Sequence, residues 1–294
     1  MDKVKVGIIG TGNIGTDLLM KIRRSAILEC GIFAGRDIYS PNVIRAREMG
    51  VPVTEDSIRY IEDHPDCCEI VFDATSAEIH RIHAPILKKL RKFAIDLTPA
   101  QVGKMCIPAI NLAECLKEDN VNLITCGGQA IVPLAYELSR IHPETKYLEL
   151  VATISSRSAG TGTRNNIDEF TQTTRTALSK FTGIQNTKAI IVLNPAEPPI
   201  TMHNTLYALI DDPQMDLIRG RIREMEARIQ KYVPGYHIVL WPVHENGRVT
   251  MSVQVTGLGD HLPPYSGNLD IITCAAIEIA EKYAYERLKG GVVS

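Results

Sequence analysis

The chain lacks a surplus of either charge: 32 lysines and arginines stand against 34 aspartates and glutamates, a formal net charge of −2. Without a basic excess it has no electrostatic footprint for nucleic acid, and none is expected as a partner. It lacks any apolar run of the ~18 residues that a membrane helix requires. Its first residues, Met1-Asp-Lys-Val-Lys-Val-Gly, enter a strand pattern without the charged and apolar regions of a signal segment. A cytoplasmic protein, with no membrane partner, is therefore expected. Paired cysteines are also missing. The seven cysteines are odd in number and contain no CxxC spacing, which suggests neither a disulfide framework nor a zinc site.

What is present is an alternation. Lys3–Gly10 (KVKVGIIG) has the pattern of a buried strand, and Asn13–Arg24 carries apolar residues at helical spacing. Strand patterns recur at Ile27–Phe33, Glu69–Asp73, Phe93–Leu97 and Val121–Thr125, with helical ones at Val43–Met49 and Glu78–Leu90. Such alternation predicts an α/β fold, a doubly wound, Rossmann-type parallel sheet with ligands at the carboxyl ends of its strands. Beyond Pro133 the candidate strands lengthen (Lys146–Ser155, Ala189–Leu193, Thr205–Ile210, Val249–Gly257), around helices at Ile167–Phe181 and Asp216–Tyr232. A second, α+β domain with a mixed sheet is expected. The predicted division is a dinucleotide-binding domain over residues 1–130, completed by a terminal helix over 268–294, and a catalytic domain over 131–267.

Between the first strand and first helix stands Gly10-Thr11-Gly12-Asn13-Ile14-Gly15, a GxGxxG. Gly10 would allow the tight turn, Gly12 the approach of a pyrophosphate and Gly15 the close packing of helix on strand. A plain glycine turn is the alternative. After the second strand, Asp37 suits a free ribose 2′-hydroxyl, whereas Arg36 suits the 2′-phosphate of NADP, so NAD is favoured and NADP stays open.

Cys126 follows the strand Val121–Thr125 and precedes Gly127 and Gly128. A helix starting at either glycine would lower the thiol pKa and offer NH groups to an oxyanion, and the glycines would keep side chains away from an incoming carbonyl. A thiolate beside a nicotinamide suits aldehyde oxidation through an enzyme-bound thioester.

The blocks GTGNIGTDL (Gly10–Leu18), FDATSA (Phe72–Ala77), IDLTPA (Ile95–Ala100), TCGGQA (Thr125–Ala130), SAGTGTRNNIDEFT (Ser158–Thr171), NPAEPP (Asn194–Pro199), YVPGY (Tyr232–Tyr236) and YSGNLDI (Tyr265–Ile271) follow one another from the first strand to the last helix, and the resemblance they carry spans nearly the whole chain. Together they resemble the acylating acetaldehyde dehydrogenases of aromatic meta-cleavage pathways, which pair with 4-hydroxy-2-oxovalerate aldolase. The resemblance implies Cys126 as the acyl-thioester nucleophile and coenzyme A as acyl acceptor. It implies NAD contacts at Thr11–Ile14, at Ser158, Ala159, Gly160, Thr161, Gly162, Thr163, Arg164, Asn165 and Asn166, and at Asn268. It further implies a dimerising second domain and an aldolase partner. Arg164, the permanent charge of its block, would pair with an anionic ligand group or make a structural ion pair.

The match has departures. Members of that family carry an acid where this chain has Asn204, which cannot take a proton. Asn204 would then orient the thiol or carbonyl, or His203 or another base would act, or the helix dipole would suffice. Leu240–Gly247 is a shorter connection than in relatives and ends in a hairpin turn at Asn-Gly. His80 and His83, three apart on a helix, are expected on a solvated face rather than as metal ligands. Two rival functions remain at this point: a semialdehyde or acyl-phosphate reaction with phosphate as acceptor, and a dinucleotide-binding protein without turnover.

Overall fold

A computed structural model describes residues 3–160, 163–164 and 167–290. The chain divides into two compact units, residues 1–123 with 273–294, and residues 124–272.

In the first unit, strands β1 (Val4–Ile9), β2 (Leu28–Ala34), β3 (Val53–Thr54), β4 (Ile70–Asp73), β5 (Phe93–Asp96), β6 (Lys104–Met105) and β7 (Asn120–Asn122) alternate with helices α1 (Asn13–Arg24), α2 (Pro41–Glu48), α3 (Ile58–Asp63), α4 (Ala77–Lys89) and α5 (Pro108–Cys115). The strands form a parallel sheet in the order β3-β2-β1-β4-β5-β7-β6. Strand β4 is buried at every position, as is β1 from Val6 to Ile9, because a parallel sheet is covered on both faces. Each such Val, Ile or Phe side chain contributes about 1.5–3 kcal/mol by leaving water. The doubly wound sheet is the one predicted; β3 and β6, two residues each, are too short to show a period.

The second unit holds α6 (Cys126–Ile141), β8 (Tyr147–Ser155), α7 (Ile167–Thr182), β9 (Thr187–Asn194), β10 (Met202–Leu209), α8 (Met215–Ile229), β11 (Tyr236–Glu245) and β12 (Arg248–Val255). The sheet is mixed, in the order β11-β12-β10-β8-β9, parallel only between β8 and β9. Strand β10 alternates buried and half-buried residues because α6, α7 and α8 cover one face. The connection expected at Leu240–Gly247 is mostly strand: β11 runs to Glu245 with register shifts around Leu240, and only Asn246 (φ 52°) and Gly247 (φ 72°) turn. Pro242 is accommodated at that irregularity, where the ladder is already broken.

Helix α9 (Gly267–Leu288) begins in the second unit and continues into the first from Thr273. There Thr273 donates to Asp17, which also pairs with Lys21 at 2.6 Å, and Tyr283 stacks on Phe93 with ring centres 4.2 Å apart.

His80 and His83 correct a sequence expectation. Neither lies on a solvated face; both are buried on the inner side of α4. Their Nδ1 atoms meet the same Oδ2 of Asp73, at 2.9 and 2.8 Å, and Asp96 Oδ2 lies 3.5 Å from His80 Nε2. Three positions on a helix bring both imidazoles to one side, and Asp73 at the end of β4 supplies the charge that makes their burial tolerable. Flipping the Asn120 amide, whose Nδ2 is 3.0 Å from His80 Nε2, would let its Oδ1 accept from a protonated Nε2. That Oδ1 is otherwise a buried acceptor without a partner among the described residues.

Burial lowers the His80 pKa, but Asp73 and Asp96 more than offset it, so the net shift is upward. Burial raises the Asp73 pKa, and its two imidazole bonds overcome this, holding it below the usual carboxylate range. The raised His80 stabilises the fold fully below its unfolded value of about 6.5 and loses that effect as pH rises through the folded value. The depressed Asp73 does so above its unfolded value of about 3.9, losing it as pH falls through the folded value. His80→Asn should therefore cost about 3 kcal/mol, the lower end for breaking a buried pair because His83 remains. The difference in urea stability from wild type should be largest between about pH 4 and 6.5 and shrink on either side.

Candidate active site

The glycine turn joins β1 to α1. Gly10 has φ +107°, and a Cβ there would lie 2.5 Å from the carbonyl oxygen of Ala74; one on Gly15 would lie 1.8 Å from that of Gly10. Gly12 differs, since a Cβ there would enter open space. No side chain caps α1 at Gly12, so the positive end of the helix faces that space with Asn13 exposed beside it. An open cradle at an uncapped helix N-terminus fits a pyrophosphate. Thr11 is pinned on both sides, its carbonyl accepting from Asn42 Nδ2 at 3.0 Å and its side chain filling the space over Gly35. Sequence reasoning missed Asn42, which lies on α2, 31 residues from its partner. Asp37 and Arg36 are both exposed past the end of β2, with Asp37 Oδ1 accepting from the Tyr39 NH.

In the second unit Cys126 is itself the first residue of α6, one position before the predicted start. Thr125 caps the helix: its hydroxyl oxygen accepts from Gly128 NH at 3.0 Å. It also lies 2.7 Å from the Thr174 hydroxyl, which donates to the Phe170 carbonyl, leaving Thr125 to donate to Thr174. Ile124 has φ +64°. A β-branched residue in the left-handed region costs about 1–3 kcal/mol, a strain that concentrates at functional turns. The strand-to-helix elbow therefore holds Cys126 by a strained residue behind it and a capped turn ahead.

The glycines serve packing rather than clearance. A Cβ on Gly127 would lie 3.1 Å from Ala152 Cβ and 3.4 Å from Phe170, and one on Gly128 would lie 2.8 Å from Ile124 Cγ2. The bare Gly127 lets the start of α6 sit directly on β8, and the bare Gly128 leaves room for Ile124 and the capping Thr125 hydroxyl. The expected lowering of the thiol pKa is also reversed. Burial pushes Cys126 up to about 12, although the NH groups of Gly127 and of Cys126 itself act in the other direction. Two backbone dipoles do not replace the hydration that a thiolate loses.

Asn204 lies within β10, between Ala152 of β8 and Val253 of β12, and is fully buried. Ala152 is the residue that Gly127 packs against, so Asn204 shares the helix-covered face at the start of α6. Neither its Oδ1 nor its Nδ2 has a partner among the described residues. His203 is half-buried on the opposite face, as strand alternation requires.

Ser158 ends a 3-10 turn over Ser156–Ser158, and Asn268 Nδ2 donates to its carbonyl at 3.4 Å. Asn268 is buried, and its Oδ1 has no partner among the described residues. The Arg164 guanidinium clamps its own loop, bonding the carbonyls of Ala159 and Ser156 and the Ser156 hydroxyl. Gly160 is exposed, with open space where a Cβ would stand, and Thr163 is half-buried. Thr161, Gly162, Asn165 and Asn166 lie outside the described residues.

Residues 126–263 match a family model described as prokaryotic acetaldehyde dehydrogenase, dimerisation. An acetaldehyde dehydrogenase of Pectobacterium atrosepticum is 53% identical over 281 residues, covering 95% of this chain and 95% of its own. The chain belongs to the acetaldehyde dehydrogenase family. Further acetaldehyde dehydrogenases agree, one from Spirochaeta aurantia at 51% identity over 96% of this chain and 95% of its own. Another, from Geobacillus stearothermophilus, is 51% identical over 98% of each. The fold extends beyond the acetaldehyde dehydrogenases: an aspartate semialdehyde dehydrogenase II of Vibrio cholerae, crystallised with ASA, superposes with a TM-score of 0.63 at 13% identity, covering 95% of this chain and 98% of that one.

Proposed function

We propose that this protein is an acylating acetaldehyde dehydrogenase that oxidises acetaldehyde, or a short homologue, to its acyl-coenzyme A ester with NAD. The observation that carries the proposal is Cys126 at the head of α6, held by a strained residue and a capped turn, with the unpartnered amide of Asn204 on the sheet beneath the same helix start. In this reading the Cys126 thiol gives up its proton to solvent, its sulfur bonds to the aldehyde carbon, and the carbonyl oxygen takes the C=O electron pair and becomes an oxyanion. The NH groups at the start of α6 and the Asn204 amide offer donors to that oxygen. Oxidised NAD, when bound, supplies the hydride acceptor and a positive charge. The hydride leaves the carbon as the carbonyl re-forms, giving a thioester on Cys126. The thiol of coenzyme A then attacks it, and the acyl–Cys126 bond breaks.

Gly10–Gly15 would hold the pyrophosphate and Asp37 the ribose hydroxyl. The buried Asn268 Oδ1 is an acceptor suited to an amide NH. Asp37 favours NAD over NADP, against the adjacent Arg36. Burial raises the Cys126 pKa in the free chain, and bound reactants would offset this, as a positive charge within about 4–6 Å does.

The dimerisation model matched over the second unit supports a homo-oligomer, and Val192, Leu209, Val239 and Val243 of its sheet remain exposed in the single chain. By resemblance, 4-hydroxy-2-oxovalerate aldolase is the partner that would deliver the aldehyde, in the cytoplasm.

The test is NADH formation from acetaldehyde with coenzyme A, with phosphate or with neither. Steady turnover only with coenzyme A is expected. Turnover with phosphate in its place would select the acyl-phosphate reaction, and NAD binding without turnover under any condition would select the non-catalytic reading.

A further inference from the structure

The first unit carries a second thiol site. Cys67 closes a 3-10 turn, Pro65–Cys67, and Cys68 follows in extended backbone (φ −158°, ψ 156°) just ahead of β4. Side chains of neighbouring residues in a strand point apart. Here the turn ends between them, and the two Sγ atoms lie 3.7 Å apart.

Their surroundings differ. Cys68 is 1% exposed and belongs to an apolar cluster with Ile9, Ile32 and Val71. Cys67 is only half-buried, at the rim of that cluster. Lys92 Nζ donates to the Pro65 carbonyl, which brings a cation to the same short turn. With the hydrogen bond to Cys68, and with Lys92 and Lys5 nearby, the Cys67 pKa falls to about 7 against the opposing effect of burial. The Cys68 pKa moves up.

We propose that Cys67 and Cys68 form a hydroperoxide-reactive dithiol in which Cys67 attacks and Cys68 resolves. The Cys67 thiolate bonds to a peroxide oxygen and the O–O bond breaks. Sulfur is oxidised to Cys67–SOH, and the peroxide is reduced to water or an alcohol. The Cys68 sulfur then attacks Cys67, an S–S bond forms, the S–O bond breaks, and the oxygen leaves as water with the Cys68 proton. Adjacent Cα atoms are about 3.8 Å apart, below the usual disulfide range of about 4.4–6.8 Å. The bond is therefore strained and readily reversed by a thiol. Cys126, buried and with its pKa pushed up, is the poorer nucleophile towards peroxide.

The experiment exposes the full chain to hydrogen peroxide, blocks remaining thiols with iodoacetamide, and weighs the tryptic peptide Tyr60–Arg81, whose only cysteines are these two. The expected peptide has lost two hydrogens, regains them in dithiothreitol, and appears equally in Cys126→Ala. In Cys67→Ser the change is absent, and in Cys68→Ser dimedone labels Cys67. Should Cys68→Ser not fold, brief peroxide treatment of wild type with dimedone present assigns the order, with label on Cys67 expected. Label on Cys68 instead, both thiols alkylated after another cysteine has oxidised, or unchanged oxidation in Cys67→Ser would each overturn the proposal.

Discussion

Cys126→Ala should lose on the order of 10⁴-fold or more in kcat/KM for aldehyde oxidation, since removing a nucleophile eliminates the covalent route rather than weakening one contact. NAD affinity, measured by titration of the same variant, should stay within about twofold if the alanine leaves the binding residues in place. The elbow should survive, because alanine keeps the Cβ while the Thr125 cap, the Thr174 bond and the glycine contacts involve other atoms. Retained binding with lost turnover separates chemistry from folding; retained turnover would rule out the thioester. General alkylation is a poorer assay. Cys67, lowered to about 7 and half-buried, should react with iodoacetamide ahead of Cys126, which is buried and raised to about 12. A labelling study must therefore start from Cys67→Ser, or follow protection by substrate.

The parallel sheet was legible because buried strands and amphipathic helices have different periods, and GxGxxG marks the first crossover. The place of Cys126 at a strand-to-helix junction is legible as an apolar run ending on a thiol before two glycines. The reason for those glycines was not. Gly127 lies against Ala152 and Phe170, respectively 25 and 43 residues away, and no local pattern encodes such contacts. The upward shift of the thiol pKa is not legible for a related reason: a helix start is visible in sequence, whereas the burial that opposes its dipole is a tertiary fact. His80 and His83 show the same limit. Three-residue spacing gives their common face, but only the position of Asp73 at the end of β4 makes that face an inner one. The positive φ of Ile124 had no signal, since isoleucine is among the residues least expected there.

Asn204→Leu should make the protein more stable and a worse enzyme. Both polar atoms of Asn204 are buried without a partner among the described residues, on the face that β10 fills otherwise with Met202, Leu206 and Ala208. An unsatisfied buried amide costs about 1–3 kcal/mol, and a leucine of similar volume removes that cost without opening a cavity. Urea denaturation should show a gain of about 1–2 kcal/mol with little change in slope. If a carbonyl binds at the start of α6, as proposed, this amide gains the partner it lacks. Removing one donor to a developing oxyanion costs about 10²–10³ in kcat, so kcat should fall by roughly that factor while NAD affinity holds. Asn204→Asp distinguishes orientation from proton transfer. Burial would raise the new carboxyl above the usual range. If it can act as a base, kcat should acquire a pH dependence near that raised value. A flat profile with low activity in Asn204→Asp would mean that the neutral amide, as donor, is what the site requires. A leucine variant with both higher stability and full activity would instead remove Asn204 from the catalytic account.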